Sequence, residues 1–188
     1  AVVSTQSTGA VQKVVERCEA AQENGGLMDL SDCQLIQVPD AIYMMMRVRD
    51  IQLTACNLSS NVITKIPPKF PTNFNFITDL NLSHNRMSSL PEEISQCTQL
   101  ESVDVSYNTF ISLPNCLFNL PKIIQINAKK NFIAECEVDL ISTCGSLESL
   151  NLEENPVTRD CQNKLELITT INIQLTPKEV EEWEDLAI

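Results

Sequence analysis

The sequence predicts an α/β solenoid, with short parallel strands along one side of the coil and short helices or turns along the other. Three observations predict it. One apolar motif recurs six times in the 188 residues, for most of that length every 23 or 24 positions. Each copy alternates inward apolar and outward polar residues over enough chain for a short strand, then places an asparagine or cysteine. A helical pattern stands before the first copy and another after the last.

Residues 1–25 read as an N-terminal capping helix. In STGAVQKVVERCEAAQENGG, Ser7 or Thr8 supplies the N-cap. Val11, Val14, Val15 and Cys18 fall on one helical stripe, and Gly25 and Gly26 end it. A solenoid exposes its core at both ends unless something covers it, and this stripe is sized to lie on the first coil. Lys13 and Arg17 are the only basic residues of the helix, too few to hold it on an anionic lipid surface.

Residues 26–160 hold the six units. The segment LTACNLSSNVITKIP places Leu53, Cys56, Leu58, Asn61, Ile63 and Ile66 at the offsets LxxLxLxxNxLxxL. The next repeats them with Ile77, Leu80, Leu82, Asn85, Met87 and Leu90, and the one after with Leu100, Val103, Val105, Asn108, Phe110 and Leu113. Asn131 and Asn155 mark two further copies, and MDLSDCQLIQVP upstream carries Cys33 where the others have asparagine. The first unit is longer, and a connection through RVRDIQ accommodates the excess. No such strand satisfies its own backbone groups, but six stacked in parallel pair with one another. The inward Asn61, Asn85, Asn108, Asn131 and Asn155 stand where the chain leaves each strand, so their amides can bond the backbone of adjacent coils. On the other side, PEEISQCTQL and PNCLFNL have the apolar spacing of short helices. Pro67, Pro68 and Pro71 predict an extended segment in the second unit.

Residues 161–188 form the predicted C-terminal cap. Ile168, Ile171 and Ile173 suggest a last, irregular strand. Thr176 to Glu179 is a capping box with Pro177 at the first helical position, and Val180, Trp183 and Ala187 make the apolar stripe of an acidic helix. Trp183, the only tryptophan, is assigned to covering the open end of the sheet.

The repeated spacing, with LPxxIxxLxx on the convex side, resembles the short intracellular class of leucine-rich repeat proteins. The family also shows cysteine in place of the asparagine, as at Cys33. The resemblance implies a curved parallel sheet on a concave face and a molecule that acts by binding. The tail departs from secreted members, since only Cys161 stands where they carry several cap cysteines. NPVT resembles the start of the cap in intracellular relatives, but the tyrosine–arginine pair usual there is missing.

The eight cysteines contain no CxxC pair, and several occupy aliphatic or asparagine positions. They are therefore read as free, buried thiols of a reducing compartment. The start AVVSTQSTGA has neither a charged nor an apolar leader region, and no stretch approaches the roughly 18 apolar residues of a membrane span. A cytoplasmic location is expected. With 13 basic against 25 acidic side chains, the net charge of −12 repels phosphate backbones and favours basic protein segments.

Function should then sit on the outward residues. One column reads Asp29, Asn57, Asn81, Asp104, Asn127 and Asn151; another, Ser31, Ser59, Ser83, Ser106, Lys129 and Glu153; a third, Asp32, Ser60, His84, Tyr107, Lys130 and Glu154. Interfaces draw their energy from tryptophan, tyrosine and arginine, and Tyr107 alone in these columns qualifies. The predicted partner-binding set is Tyr107 with His84, Asp104, Asn127, Lys129, Lys130, Asn151, Glu153 and Glu154. A hydrolase would need Ser83 or Ser106 activated by His84, the only histidine, and oriented by Asp104. An open face without a Gly-rich loop or lid argues against it, and Asp29 and Asp104 stand about 14 Å apart, too far for paired-carboxylate catalysis. The chain is expected to be a monomeric, non-enzymatic adaptor or scaffold with a protein partner and no cofactor, metal, membrane or nucleic acid. The alternative is an acidic regulatory subunit for basic proteins.

Overall fold

The computed structural model describes residues 8–178. Seven strands of three residues each form one open parallel sheet in chain order: β1 (Leu27–Asp29), β2 (Ala55–Asn57), β3 (Asp79–Asn81), β4 (Ser102–Asp104), β5 (Gln125–Asn127), β6 (Ser149–Asn151) and β7 (Asn172–Gln174). The central residues Met28, Cys56, Leu80, Val103, Ile126, Leu150 and Ile173 stand in register across the sheet. The first six are buried. Two positions on, Leu30, Leu58, Leu82, Val105, Ala128 and Leu152 are each fully buried. A fully buried leucine or valine is worth about 2 kcal/mol of transfer free energy, so this column forms the spine of the core. β7 contains Ile173, one strand beyond the six units, where an irregular strand was expected.

The ladder continues past the strands through the inward asparagines. Asn108 is representative. Its Nδ2 donates to the carbonyls of Leu82, Val105 and Ser106 at 3.0, 3.0 and 3.1 Å, and its Oδ1 accepts the Met87 N–H at 2.9 Å. Asn61, Asn85, Asn131 and Asn155 repeat this pattern. Each reaches a carbonyl of the preceding coil and takes an N–H from it, so a polar side chain satisfies buried backbone that no strand pairs.

The opposite side carries α2 (Ala41–Val48), α3 (Lys69–Asn73), 3₁₀ turns at Glu92–Gln96 and Asn115–Asn119, α4 (Val138–Ser142) and α5 (Arg159–Glu166). α3 corrects the extended segment expected from its prolines. Pro68 is its N-cap and Pro71 its third residue. The first-turn N–H groups of a helix have no acceptor within it, so proline there breaks nothing. The long first unit contains α2 as well as a connection. Within it Met46 is buried, Met45 partly buried and Met44 exposed.

The first helix, α1 (Thr8–Glu23), packs along β1. It buries Val14, Cys18 and Ala21, whereas Val11 and Val15 are exposed. The inward stripe thus runs one turn further toward the C-terminus than the valines suggest. Its N-cap position, Ser7, lies outside the described residues. Gly25 and Gly26 follow with φ of 66° and 91°, and the Gly26 N–H bonds the Ala21 carbonyl. Gly26 also accepts the Thr54 N–H at 2.9 Å, so helix exit and strand pairing share one residue. The helix expected after Thr176, with Trp183, lies outside the described residues.

All eight cysteines are free thiols; Cys136 is half-buried and the other seven are buried. Burial pushes the Cys18, Cys97 and Cys116 thiols up to about 11. Among the described residues no helix is long and apolar enough to cross a membrane, and no cluster of three or more potential ligands could hold a metal ion.

Candidate functional site

The three outward columns do three different things. In the strand column, the side-chain oxygens of Asp29, Asn57, Asn81, Asp104, Asn127 and Asn151 each accept the N–H two residues on, at 2.9–3.1 Å. This local turn explains why the column holds only Asp and Asn. Asp104, Asn127 and Asn151, expected to meet a partner, therefore each have one oxygen committed to the backbone. The serine column closes the same turns. Ser31, Ser83 and Ser106 hydroxyls donate to Asp29, Asn81 and Asp104 at 2.7, 2.8 and 2.6 Å, and Ser83 and Ser106 are buried.

The third column makes the rim. Asp32, Ser60, His84, Tyr107, Lys130 and Glu154 all adopt left-handed backbone, with φ between 50° and 56°. Five of them donate their N–H to the next coil at 2.9–3.1 Å, which holds that geometry in place. Left-handed backbone costs a residue with a Cβ about 1 kcal/mol, and small or Asx residues bear it most easily. Asp32 fits that rule and histidine is also enriched there; Tyr107, Lys130 and Glu154 do not fit it. Large, chemically distinct side chains are carried here at a conformational cost.

These side chains meet. The His84 and Tyr107 rings stack with centroids 4.2 Å apart and planes 10° from parallel. Tyr107 remains 39% exposed. Beyond it, Glu154 lies between two ammonium groups, 3.4 Å from Lys129 and 4.0 Å from Lys130. The Glu154 carboxylate raises the Lys129 ammonium above its ordinary value, chiefly by accepting its hydrogen bond. A depression of about 580 Å³ opens beside them, lined by Tyr107, Lys130, Phe132, Glu154, Pro156 and Thr176. Phe132, 60% exposed, was not singled out from the sequence. Its signal was available: it follows Asn131 at a place filled by Val62, Arg86 and Thr109 in earlier units, where a phenylalanine has no core to enter. Glu153 stands behind, its carboxylate accepting from Asn151 Nδ2 at 3.2 Å.

The residues considered for hydrolysis are not arranged for it. The Ser83 and Ser106 hydroxyls donate to Asn81 and Asp104, and the His84 ring lies flat on Tyr107. A nucleophile–base hydrogen bond requires the opposite pairing.

A family model for the leucine rich repeat matches residues 51–110, the second and third units with the start of the fourth. The chain folds as a leucine-rich repeat solenoid. Leucine-rich repeat-containing protein 20 is a relative, 33% identical over 87 residues in Mus musculus and 31% over 94 in Homo sapiens. Those matches cover 46% and 50% of this chain and 47% and 51% of the relatives. Toll-like receptor 6 of Dasypus novemcinctus is 28% identical over 135 residues, which are 69% of this chain and 16% of the receptor. The chain thus matches about half the length of the first relative and a small part of the second. Among solved structures, a leucine-rich repeat protein from Bacteroides thetaiotaomicron superposes with a TM-score of 0.62 at 21% identity, over 70% of this chain and 17% of that one. The TLR13–ssRNA13 complex gives 0.62 at 21%, over 86% and 23%. These likenesses carry the leucine-rich repeat fold, and the fold accounts for the asparagine ladder and left-handed rim just described.

Proposed function

We propose that this chain is a non-enzymatic adaptor or scaffold that captures a protein partner on the concave strand side, at the rim formed by units three to six. One observation carries the reading: Tyr107 is held on His84 in a strained conformation, exposed, beside the Phe132 depression and the Lys130–Glu154 pair. A pre-positioned tyrosine loses little side-chain entropy on binding, which is why aromatic anchors dominate interfaces. Lys129, Lys130, Glu153 and Glu154 supply polarity and register. The module works as a monomer in the cytoplasm, with residues 1–25 and 161–188 closing its two ends. It needs neither cofactor nor membrane, and its charge of −12 disfavours the kind of single-stranded RNA named with TLR13. Affinity capture with the intact chain, compared with Tyr107→Ala combined with Lys130→Glu, tests this. The double variant is expected to lose its partner while its melting temperature stays within a few degrees. Undiminished capture overturns the assignment.

A second reading, an acidic subunit for basic proteins, is favoured by the exposed carboxylates of Asp79, Glu101 and Glu148 along the strand-entry edge. Binding of that kind weakens steeply with salt, whereas rim binding through Tyr107 does not.

A further inference from the structure

The C-terminal end carries a pair of thiols that the binding surface does not use. Cys136 occupies the last apolar position of its motif, held elsewhere by the buried Val38, Ile66, Leu90 and Leu113. Unlike them it is half-buried, and it lines one depression together with Cys161, which is only 1% exposed. The two cysteines belong to adjacent coils, and three contacts fix their relative position. Thr158 donates its N–H to the Ala134 carbonyl at 2.9 Å and its hydroxyl to Glu135 Oε1 at 2.6 Å. The Thr158 hydroxyl oxygen in turn accepts the Cys161 N–H at 3.2 Å, so Cys161 lies in the first turn of α5. The coils are therefore still backbone-bonded two residues before one sulfur and three before the other. Hydrogen-bonded coils run about 4.8 Å apart, inside the Cα window of about 4.4–6.8 Å that a disulfide spans. Both cysteines line a depression of about 510 Å³ that Lys164 and Leu167 also line, so a small solute can reach the half-buried Cys136, with Cys161 behind it.

We propose that Cys136 and Cys161 form a reversible dithiol–disulfide site that reacts with small peroxides and, once bridged, fastens α5 to the preceding coil. Cys136, the more exposed, attacks one peroxide oxygen. The O–O bond breaks, the thiol proton leaves with the second oxygen as water, and Cys136 becomes a sulfenic acid. Cys161 then attacks the Cys136 sulfur, the S–O bond breaks, and the Cys161 proton departs with the hydroxyl as a second water. Two thiols lose two electrons and hydrogen peroxide is reduced to two waters. Burial and the contact with Cys161 push the Cys136 thiol well up, so the first step is slow at neutral pH and faster in alkali.

The test treats the reduced full chain with hydrogen peroxide in mildly alkaline buffer, then counts thiols after denaturation and maps peptides by mass. The eight thiols should fall by two, with one cross-linked species joining the Cys136 and Cys161 peptides, reversed by dithiothreitol. Closing this loop should raise the melting temperature by about 5 °C. Cys161→Ser should leave Cys136 to oxidise further, to the sulfinic acid, with no bridge. Since the count is made on the unaltered chain, it decides the matter even if that variant folds poorly. Eight surviving thiols, a bridge between other cysteines, or sulfinic acid at Cys136 with Cys161 still reduced would each overturn the proposal. None of these results depends on the rim binding a partner.

Discussion

Asn108 Nδ2 stands 3.0 Å from the carbonyl oxygen of Leu82, a residue of the preceding coil, and the same side chain takes the N–H of Met87. Leucine at this position would fill the space but strand the Met87 N–H in the core and leave the carbonyls of Leu82, Val105 and Ser106 with one donor each, from Asn85, Asn131 and His84. Each unpaired buried group costs about 1–3 kcal/mol, though relaxation shares the loss. Asn108→Leu is expected to destabilise by about 3 kcal/mol, read as a lower urea midpoint at unchanged slope. A change below about 0.5 kcal/mol would show that the ladder contributes nothing.

Gly26 should be intolerant of any side chain. Its φ is 91°, and a Cβ there would lie 2.5 Å from the Gln52 carbonyl oxygen, a backbone atom that cannot rotate away. Gly26→Ala therefore combines left-handed strain with a clash and should cost about 3 kcal/mol. Gly25→Ala, also at positive φ but with nothing within 4 Å, should cost about 1 kcal/mol. Equal losses in thermal melts would refute the clash argument.

Tyr43 predicts a gain. Its ring stacks on Phe74 at 5.4 Å, but its buried hydroxyl has no hydrogen-bond partner among the described residues. Tyr43→Phe keeps the stack and removes an unsatisfied group, so stability should rise by about 1 kcal/mol. A loss on denaturant titration would mean that the hydroxyl is satisfied in solution.

The buried thiols set an alkaline limit. Cys18, Cys97 and Cys116 have an ordinary value of 9.0 and are pushed up to about 11 in the folded chain, chiefly by burial. Between those values the unfolded chain has released protons that the folded chain still holds, so stability falls as pH rises. The loss from these three should run from near pH 9 to near 11, with a slope on the order of 1 kcal/mol per pH unit for each thiol, and the more strongly raised Cys56 and Cys136 should carry it further. Alanine at Cys97 should flatten the slope, a comparison made by denaturant titration at stepped pH.

The sequence made much of this fold legible, for a physical reason. Asn61 to Asn155 mark the coil length, because one side chain serving two coils cannot drift in position. What stayed illegible depends on neighbours. Pro71 suggests extended chain until its place in the first turn of α3 is known. Val11 and Val15 look buried until α1 is seen to present Val14, Cys18 and Ala21 instead. At the rim, Tyr107 is legible as an anchor by residue type, but its left-handed backbone and its stack on His84 are not. Nor could the columns alone show that Asp104, Asn127 and Asn151 spend an oxygen on their own turns. Phe132 is legible only by its size, because it follows the pattern asparagine and stands outside the three outward columns.

The inward asparagines bond only to their own coil and the one before it. Splicing in or cutting out one whole period between two of them would recreate the same contacts at the new junction. Lineages could thus lengthen or shorten such a rod by recombination, while the two termini, which have no interchangeable counterpart, would resist the same trade.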